Sequence, residues 1–320
     1  MFFSKSFPVH DRNKSAVVIT GASSGIGSEV VKALAGLGFH VFACLRDPNN
    51  ADGLLARVAN KDEVSLIKMD VSSQGSINGA YDEITEFLNK KSYSLVALVN
   101  NAASEQMGPF EILPMQRIRE EFDVKFFGTL SVTKAFINLL RKSHGRIVNM
   151  SSVGGRMTMT NSSATSATCY AIESFSDAIR MELEKWNISV SIIEPGGVRT
   201  PLMLQKHVDQ YKKYLPELCS PEEISLYFPD FKNWVEHLVE ENKKMENRHP
   251  KSIWQKLNCC IKGQVWLMEP AVIAKNIVHA IISEKPKTRY LIGSAAWMIL
   301  IAKLFLSDRA FDRFFGSKMF

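Results

Sequence analysis

Short runs of β-branched and apolar residues recur along this chain: Ala16–Thr20, His40–Cys44, Val64–Met69, Leu95–Val99, Arg146–Met150 and Ile188–Ile193. Between them lie stretches of helix length with apolar residues at helical spacing. The first spans Ile26–Leu37 and places Ile26, Val30, Ala33, Leu34 and Leu37 on one predicted face. Strands that alternate with helices build βαβ units and a parallel sheet. Strands this uniformly apolar suit a sheet covered on both faces. The expected fold is therefore α/β, one doubly wound parallel sheet in a single domain, with a core over residues 14–200. Residues 202–263 break the pattern, being polar, aromatic and irregular, and read as a helical excursion on the substrate side. At the carboxyl ends of strands such excursions build ligand pockets; a surface insertion without a role accounts for the same residues. A helix at Pro270–Ser283 and a strand at Arg289–Ile292 return to the sheet, followed by an apolar and basic helical tail over 296–320.

Composition narrows the function classes. With 320 residues, 46% hydrophobic and 22% charged, the chain has a core to bury and is neither disordered nor fibrous. The charge of +6 is scattered, with no run of five like charges, so no nucleic-acid partner is expected. Cys44, Cys169, Cys219, Cys259 and Cys260 are odd in number and make no zinc pattern, and the seven histidines do not cluster, so free thiols, a reducing cytoplasmic setting and no metal are expected. The N-terminus has no continuous apolar segment of the secretory kind. The longest apolar run, Ala295–Phe305, is shorter than the ~20 residues that span a bilayer. Beyond it, Phe311, Phe314 and Phe315 mix with Arg309, Arg313 and Lys318. That composition suits a peripheral membrane contact, packing on the sheet, or a homodimer interface.

The first strand runs directly into Thr20-Gly21-Ala22-Ser23-Ser24-Gly25-Ile26-Gly27 and a helix. Gly21 permits a tight turn, Gly25 lets backbone approach a pyrophosphate, and Gly27 lets the helix pack close to the strand. The helix N-terminus then presents N–H groups to phosphates. The second strand ends in Leu45-Arg46-Asp47. Leu45 stands where an NAD site would carry an acid, and Arg46 offers a fork to a 2′-phosphate, so NADP(H) is read over NAD(H). A solvated Arg46 paired with Asp47 is the alternative.

These features resemble the short-chain dehydrogenase/reductase family, most closely its hydroxysteroid and retinol dehydrogenase branch, from about Lys14 to Arg313. Thr20–Gly27 is similar to the family's cofactor turn, Asp70-Val71 to its adenine contact and Asn100-Asn101-Ala102 to its NNA segment. Pro195-Gly196, with Val198 and Thr200, resembles the PGxxxT stretch at the nicotinamide carboxamide. The resemblance implies a Rossmann-type sheet, a dinucleotide partner and a lipophilic alcohol or ketone substrate of the steroid or retinoid type. The aromatic residues of the excursion fit such a substrate, and equally fit the packing of a helical cap.

The catalytic end departs from the pattern. Ser152 matches the family serine. The family tyrosine falls on Thr165, its lysine on Cys169, and its asparagine, in Phe122-Asp123-Val124-Lys125-Phe126-Phe127-Gly128, on Lys125. Ala103 replaces the glycine after NNA. Slipping the register does not help, because Ser174 follows four residues after Tyr170. A threonine hydroxyl is far less acidic than a phenol of pKa ~10, and Cys169 carries no fixed positive charge. Loss of a general acid costs ~10²–10⁴ in rate. Three readings follow: a cofactor-binding pseudoenzyme that senses redox state, an enzyme in which Lys125 supplies the ammonium lost at position 169, and a scaffold. For Cys169 itself, a reactive thiol beside the cofactor stands against a small buried helix residue.

Overall fold

The computed structural model describes residues 5–248, 255 and 267–313. Seven strands form one sheet: β1 (Ser15–Thr20), β2 (His40–Leu45), β3 (Val64–Lys68), β4 (Ser94–Asn100), β5 (Arg146–Met150), β6 (Ser189–Pro195) and β7 (Arg289–Ile292). Their order is β3-β2-β1-β4-β5-β6-β7, and every pairing is parallel. The expected strands are all present, with ends moved by a residue or two. The order reverses between β1 and β4, which opens a crevice at their carboxyl ends where doubly wound sheets bind ligands.

Alternation along the strands divides the core. Val17 and Ile19 of β1 face α1 (Gly25–Ala35) and α7 (Pro270–Ile282), against Val30, Val31, Leu34, Ile273 and Ile277. Ala16 and Val18 face the opposite layer. That layer comprises α2 (Gln74–Lys91), α4 (Gly128–Ser143) and α5 (Ser163–Leu183), against Ile77, Ile84, Val132, Phe136 and Ile179. Both faces of the sheet are thus covered, as near-continuous apolar strands require. The buried face of α1 is rotated from the predicted one. Gly27, Val30, Val31, Leu34 and Ala35 are buried while Ala33 is half-buried, because the helix lies against both the sheet and α7.

Before α4 the chain forms α3 (Met115–Phe122) and then a π-helical turn, Asp123–Phe127, without leaving helical geometry. Such turns insert an extra residue into a helix and recur at functional sites. Here the turn carries Lys125.

The described part of the excursion is helical, including Pro221–Tyr227, with a Ser220/Glu223 capping box, and α6 (Phe231–Asn247). Its aromatic residues pack on one another: Tyr211 is fully buried with Phe228 and Trp234, against Met107 and Ile112 of the loop after β4. Residues 249–254 and 256–263 of the excursion lie outside the described residues, as do Cys259, Cys260, Phe314, Phe315 and Lys318. The last long helix, α8 (Ser294–Phe305), exposes Trp297, Ile301, Leu304 and Phe305 at spacings of four, three and one. Among the described residues no helix is long and apolar enough to cross a membrane.

Candidate active site

The crevice begins at the turn after β1. Gly21 and Gly25 take φ of +64° and +58°, a region that favours glycine. A Cβ on Gly21 would sit 2.7 Å from Ala102 Cα, and one on Gly27 would sit 2.3 Å from Gly21 O. The turn is therefore compressed against the segment after β4. That clamp is polar: Thr20 Oγ1 accepts from the N–H groups of Asn101 and Ala102, each at 3.0 Å. Asn101 Nδ2 donates to Thr20 O and Gly21 O at 3.0 and 2.9 Å. Asn100 turns inward instead, its Nδ2 donating to Thr133 Oγ1 and Asn149 Oδ1, which ties β4 to β5 and α4. Ser23 and Ser24 are exposed at the mouth of the turn, Ile26 is half-buried, and a Cβ on Gly25 would sit 3.0 Å from the Thr200 methyl. This glycine cradle, closed to any side chain and open above a helix N-terminus, fits a dinucleotide pyrophosphate.

The flanking positions are arranged around it. Leu45 points into the core, and Arg46 is the exposed residue at the end of β2. No pairing with Asp47 is seen: that carboxylate accepts from Asn49 N and Asn50 Nδ2. Asp70 accepts from the N–H and hydroxyl of Ser72. Burial opposes its charge, but these bonds and the Arg46 guanidinium hold its carboxyl below the ordinary value. Val71 is buried beneath Gly128. At the end of β6, Pro195 is buried, and just beyond it Gly196 N donates to Ile292 O. Val198 pairs with Met268, and Thr200 Oγ1 accepts from Met203 N at 3.3 Å.

Thr165, Cys169 and Lys125 come together with Glu121 as two helix-spaced pairs. On α5, Thr165 and Cys169 lie four residues apart; on α3 and the π turn, so do Glu121 and Lys125. Lys125 Nζ donates to Cys169 Sγ at 3.0 Å, and both side chains are buried. Thr165 Oγ1 donates to Glu121 Oε2 at 3.1 Å, and Thr168 Oγ1 to Glu121 Oε1 at 3.1 Å. Gln106 N donates to Glu121 Oε2 at 2.8 Å and lies 3.3 Å from Thr165 Oγ1. Gln210 of the excursion closes this side, accepting from Met107 N at 3.0 Å. Lys125 therefore does not point away from the site. Ser152 stands apart: its Oγ accepts from Gly154 N at 3.1 Å and reaches Pro195 O at 3.4 Å. Tyr170 faces outward, toward Lys303 Nζ.

The enclosure sets the charges. Burial pushes the Cys169 thiol up, and Lys125 offsets only part of the rise, so Cys169 is a neutral, enclosed thiol rather than a reactive thiolate. Burial opposes the Lys125 ammonium, yet its hydrogen bond to Cys169 and the carboxylates of Glu121 and Glu105 raise it above its ordinary value. Burial pushes the Glu121 carboxyl up to about 7. Lys125, Thr165 and Gln106 pull against that rise and Glu105 adds to it. Glu105 is raised by burial as well. Two acids thus share one ammonium.

Glu121, Glu105, Gln106 and Thr168 were not legible as site residues. The available signal was a glutamate four residues before Lys125, on the same side of the helix, in a segment whose other acids reach solvent. Glu120 pairs with Arg117 on the surface, whereas Glu121 is 0% exposed. From the far side, α5 is pinned by Arg289 of β7, which binds Glu173, Asp177 and, at 2.7 Å, Glu194.

Comparison with known proteins agrees with this architecture. Residues 15–211 match the short chain dehydrogenase family. Estradiol 17-beta-dehydrogenase 2 of Mus musculus is 33% identical over 295 residues, covering 91% of this chain and 71% of that protein. The mitochondrial D-beta-hydroxybutyrate dehydrogenase of Bos taurus is 30% identical, covering 86% and 76%. A short-chain dehydrogenase structure from Streptomyces avermitilis superposes with a TM-score of 0.65 at 26% identity, covering 91% of this chain and 93% of that one. With sheet order, glycine cradle and relatives in agreement, the chain belongs to the short-chain dehydrogenase family of nicotinamide-dinucleotide oxidoreductases, on its hydroxysteroid dehydrogenase branch.

Proposed function

We propose that this chain binds NADP(H) and acts on lipophilic alcohols or ketones, with Lys125 supplying the ammonium that residue 169 lacks. The observation that carries this reading is the 3.0 Å contact from Lys125 Nζ to Cys169 Sγ, which brings a buried cation to the position left vacant on α5. When bound, the dinucleotide supplies or accepts hydride at the carbinol carbon. The protein's part is to hold and orient. The Gly21–Gly27 turn takes the pyrophosphate, Arg46 the 2′-phosphate, Asp70 and Val71 the adenine, and the stretch from Pro195 to Thr200 the nicotinamide side. Ser152 polarises the substrate oxygen. The names of the relatives, an estradiol and a hydroxybutyrate dehydrogenase, support a secondary alcohol as substrate class.

A second reading, a non-catalytic NADP(H) sensor, is favoured by one observation: the Thr165 hydroxyl is already committed to Glu121 and Gln106. We also assign the exposed apolar face of α8 to a lipid surface, with a homodimer as the competing occupant.

Titration with NADPH and NADH, followed by nicotinamide fluorescence, and turnover of estradiol with NADP+ test these readings. Tight NADPH binding with turnover that falls in Lys125→Asn supports the enzyme. Undiminished turnover in Lys125→Asn removes the role given to Lys125. Tight binding without turnover leaves the sensor, and absence of binding removes both.

A further inference from the structure

We propose that Glu121 holds and delivers the proton of this site, passing it through the hydroxyl of Thr165. The inference rests on the cofactor reading above and adds a residue to it. Thr165 has no acidic proton of its own to give. Its Oγ1, however, lies 3.1 Å from Glu121 Oε2, so a carboxylic acid stands one hydroxyl behind the position where the family places a phenol. A hydroxyl both accepts and donates, and a protonated carboxyl can donate to the oxygen from which, once ionised, it accepts. The acid is enclosed: Glu121 and Thr168 are 0% exposed, and the partners of Glu121 come from three directions. Thr165 and Thr168 belong to α5, Gln106 N to the loop after β4, and Lys125 to the π turn that continues its own helix.

Charge completes the argument. The titratable groups facing Glu121 are Lys125, Glu105 and, beyond Lys125, the neutral thiol of Cys169. One ammonium between two carboxyls allows one of them to keep a proton near neutrality, and burial places Glu121 at about 7, where a proton donor is most effective. During reduction, the Thr165 O–H bond breaks as its proton goes to the substrate alkoxide. The Glu121 O–H bond breaks as its proton replaces the one lost by Thr165. Glu121 is left as a carboxylate within the field of the Lys125 ammonium, and water restores its proton. In alcohol oxidation the same protons move in reverse. Glu121 acts through Thr165 and is a positioning and proton-holding residue rather than one that touches substrate.

The oxidised nicotinamide is a cation and the reduced one is neutral, so binding of NADP+ favours ionisation of Glu121 more than binding of NADPH does. Infrared titration of the apoprotein reads the acid directly. The expected result is protonated carboxyl absorption that disappears with a midpoint near pH 7, loses one component in Glu121→Gln while that of Glu173 remains, and has that same component shifted to higher pH in Thr165→Val. Thr165→Val, which removes the hydroxyl that stabilises the ionised form, keeps the test open should Glu121→Gln not fold. Calorimetry of NADP+ and NADPH binding at pH 7 in buffers of different ionisation enthalpy then counts protons. NADP+ should release a fraction of a proton more than NADPH, and Glu121→Gln should abolish the difference. A band that titrates in the ordinary carboxylate range, or fails to move in Thr165→Val, overturns the proposal. So does NADP+ binding with no proton released beyond that of NADPH. If neither dinucleotide gives binding heat, the cofactor reading fails and takes this proposal with it, an outcome distinct from binding without proton exchange.

Discussion

The ammonium of Lys125 meets the sulfur of Cys169 at 3.0 Å across the gap between a π turn and α5, 44 residues apart in sequence. Under the reading proposed above the relationship exchanges sides: the cation stands where the family's asparagine would fall, and the helix on which its lysine would fall presents a neutral thiol. Restoring one side without the other should therefore do harm. Cys169→Lys alone places two ammoniums in one enclosure and should cost about 3–5 kcal/mol. Combined with Lys125→Asn, most of that cost should return. Chemical denaturation of both single variants and the double variant, as a double-mutant cycle, measures the coupling; additive single effects would refute it.

The raised carboxyl of Glu121 has a consequence for stability. Its folded value of about 7 lies above the ordinary 4.5, with burial as the main cause, so the unfolded chain gives up the proton first. Stability that is full below pH 4.5 is lost as pH rises through 7. Glu173, also pushed up to about 7 by burial, adds in the same direction. His40, lowered to about 4 by burial, works the other way, with stability lost as pH falls from 6.5 through 4. The stability of Glu121→Gln relative to the parent should rise between pH 4.5 and 7 and stay level above. Melting curves across that range check the slope, whatever pH-independent offset the amide brings.

Gly27→Ala tests the cradle. The added methyl meets Gly21 O at 2.3 Å and Asn101 Nδ2 at 2.7 Å, backbone and a clamped amide that cannot both retreat. The variant should lose roughly 1–3 kcal/mol of stability. It should also lose NADPH binding in a fluorescence titration. Full binding in Gly27→Ala would show that the turn does not carry the pyrophosphate.

Arg46 is exposed just after β2 and unpaired with Asp47, and the proposed function gives it the 2′-phosphate. A hydrogen bond to a charged group contributes ~1.5–3 kcal/mol. Arg46→Ala should accordingly weaken NADPH binding about 10- to 100-fold while leaving NADH nearly unchanged. Equal weakening of both would move the 2′-phosphate contact elsewhere.

On α8, Leu304 and Phe305 are 82% and 81% exposed. Leu304→Asp with Phe305→Asp should abolish co-sedimentation with vesicles containing anionic lipid and leave the melting temperature unchanged. If sedimentation persists, or if the substitutions change only the size-exclusion profile, the face serves a second copy of the chain instead.

The order of strands and helices along the chain, the glycine turn and the presence of Thr165 and Cys169 on one helix were all determined by the sequence itself. Each depends on pattern or spacing within a few residues: an unbroken apolar run for Ala16–Ile19, a positive φ at Gly21, the four-residue step from Thr165 to Cys169. The sequence also placed a lysine at 125. It did not show where that side chain ends, nor that Glu121 sits beneath Thr165. Those contacts join α3, the π turn, the loop after β4 and α5, and only packing of these elements brings them together. Tertiary structure also decided the charges, because a carboxyl departs from its ordinary value according to what is enclosed with it. Glu120 and Glu121 are neighbours of identical chemistry; one pairs with Arg117 on the surface, and the other is buried with Lys125 and Glu105 and raised to about 7.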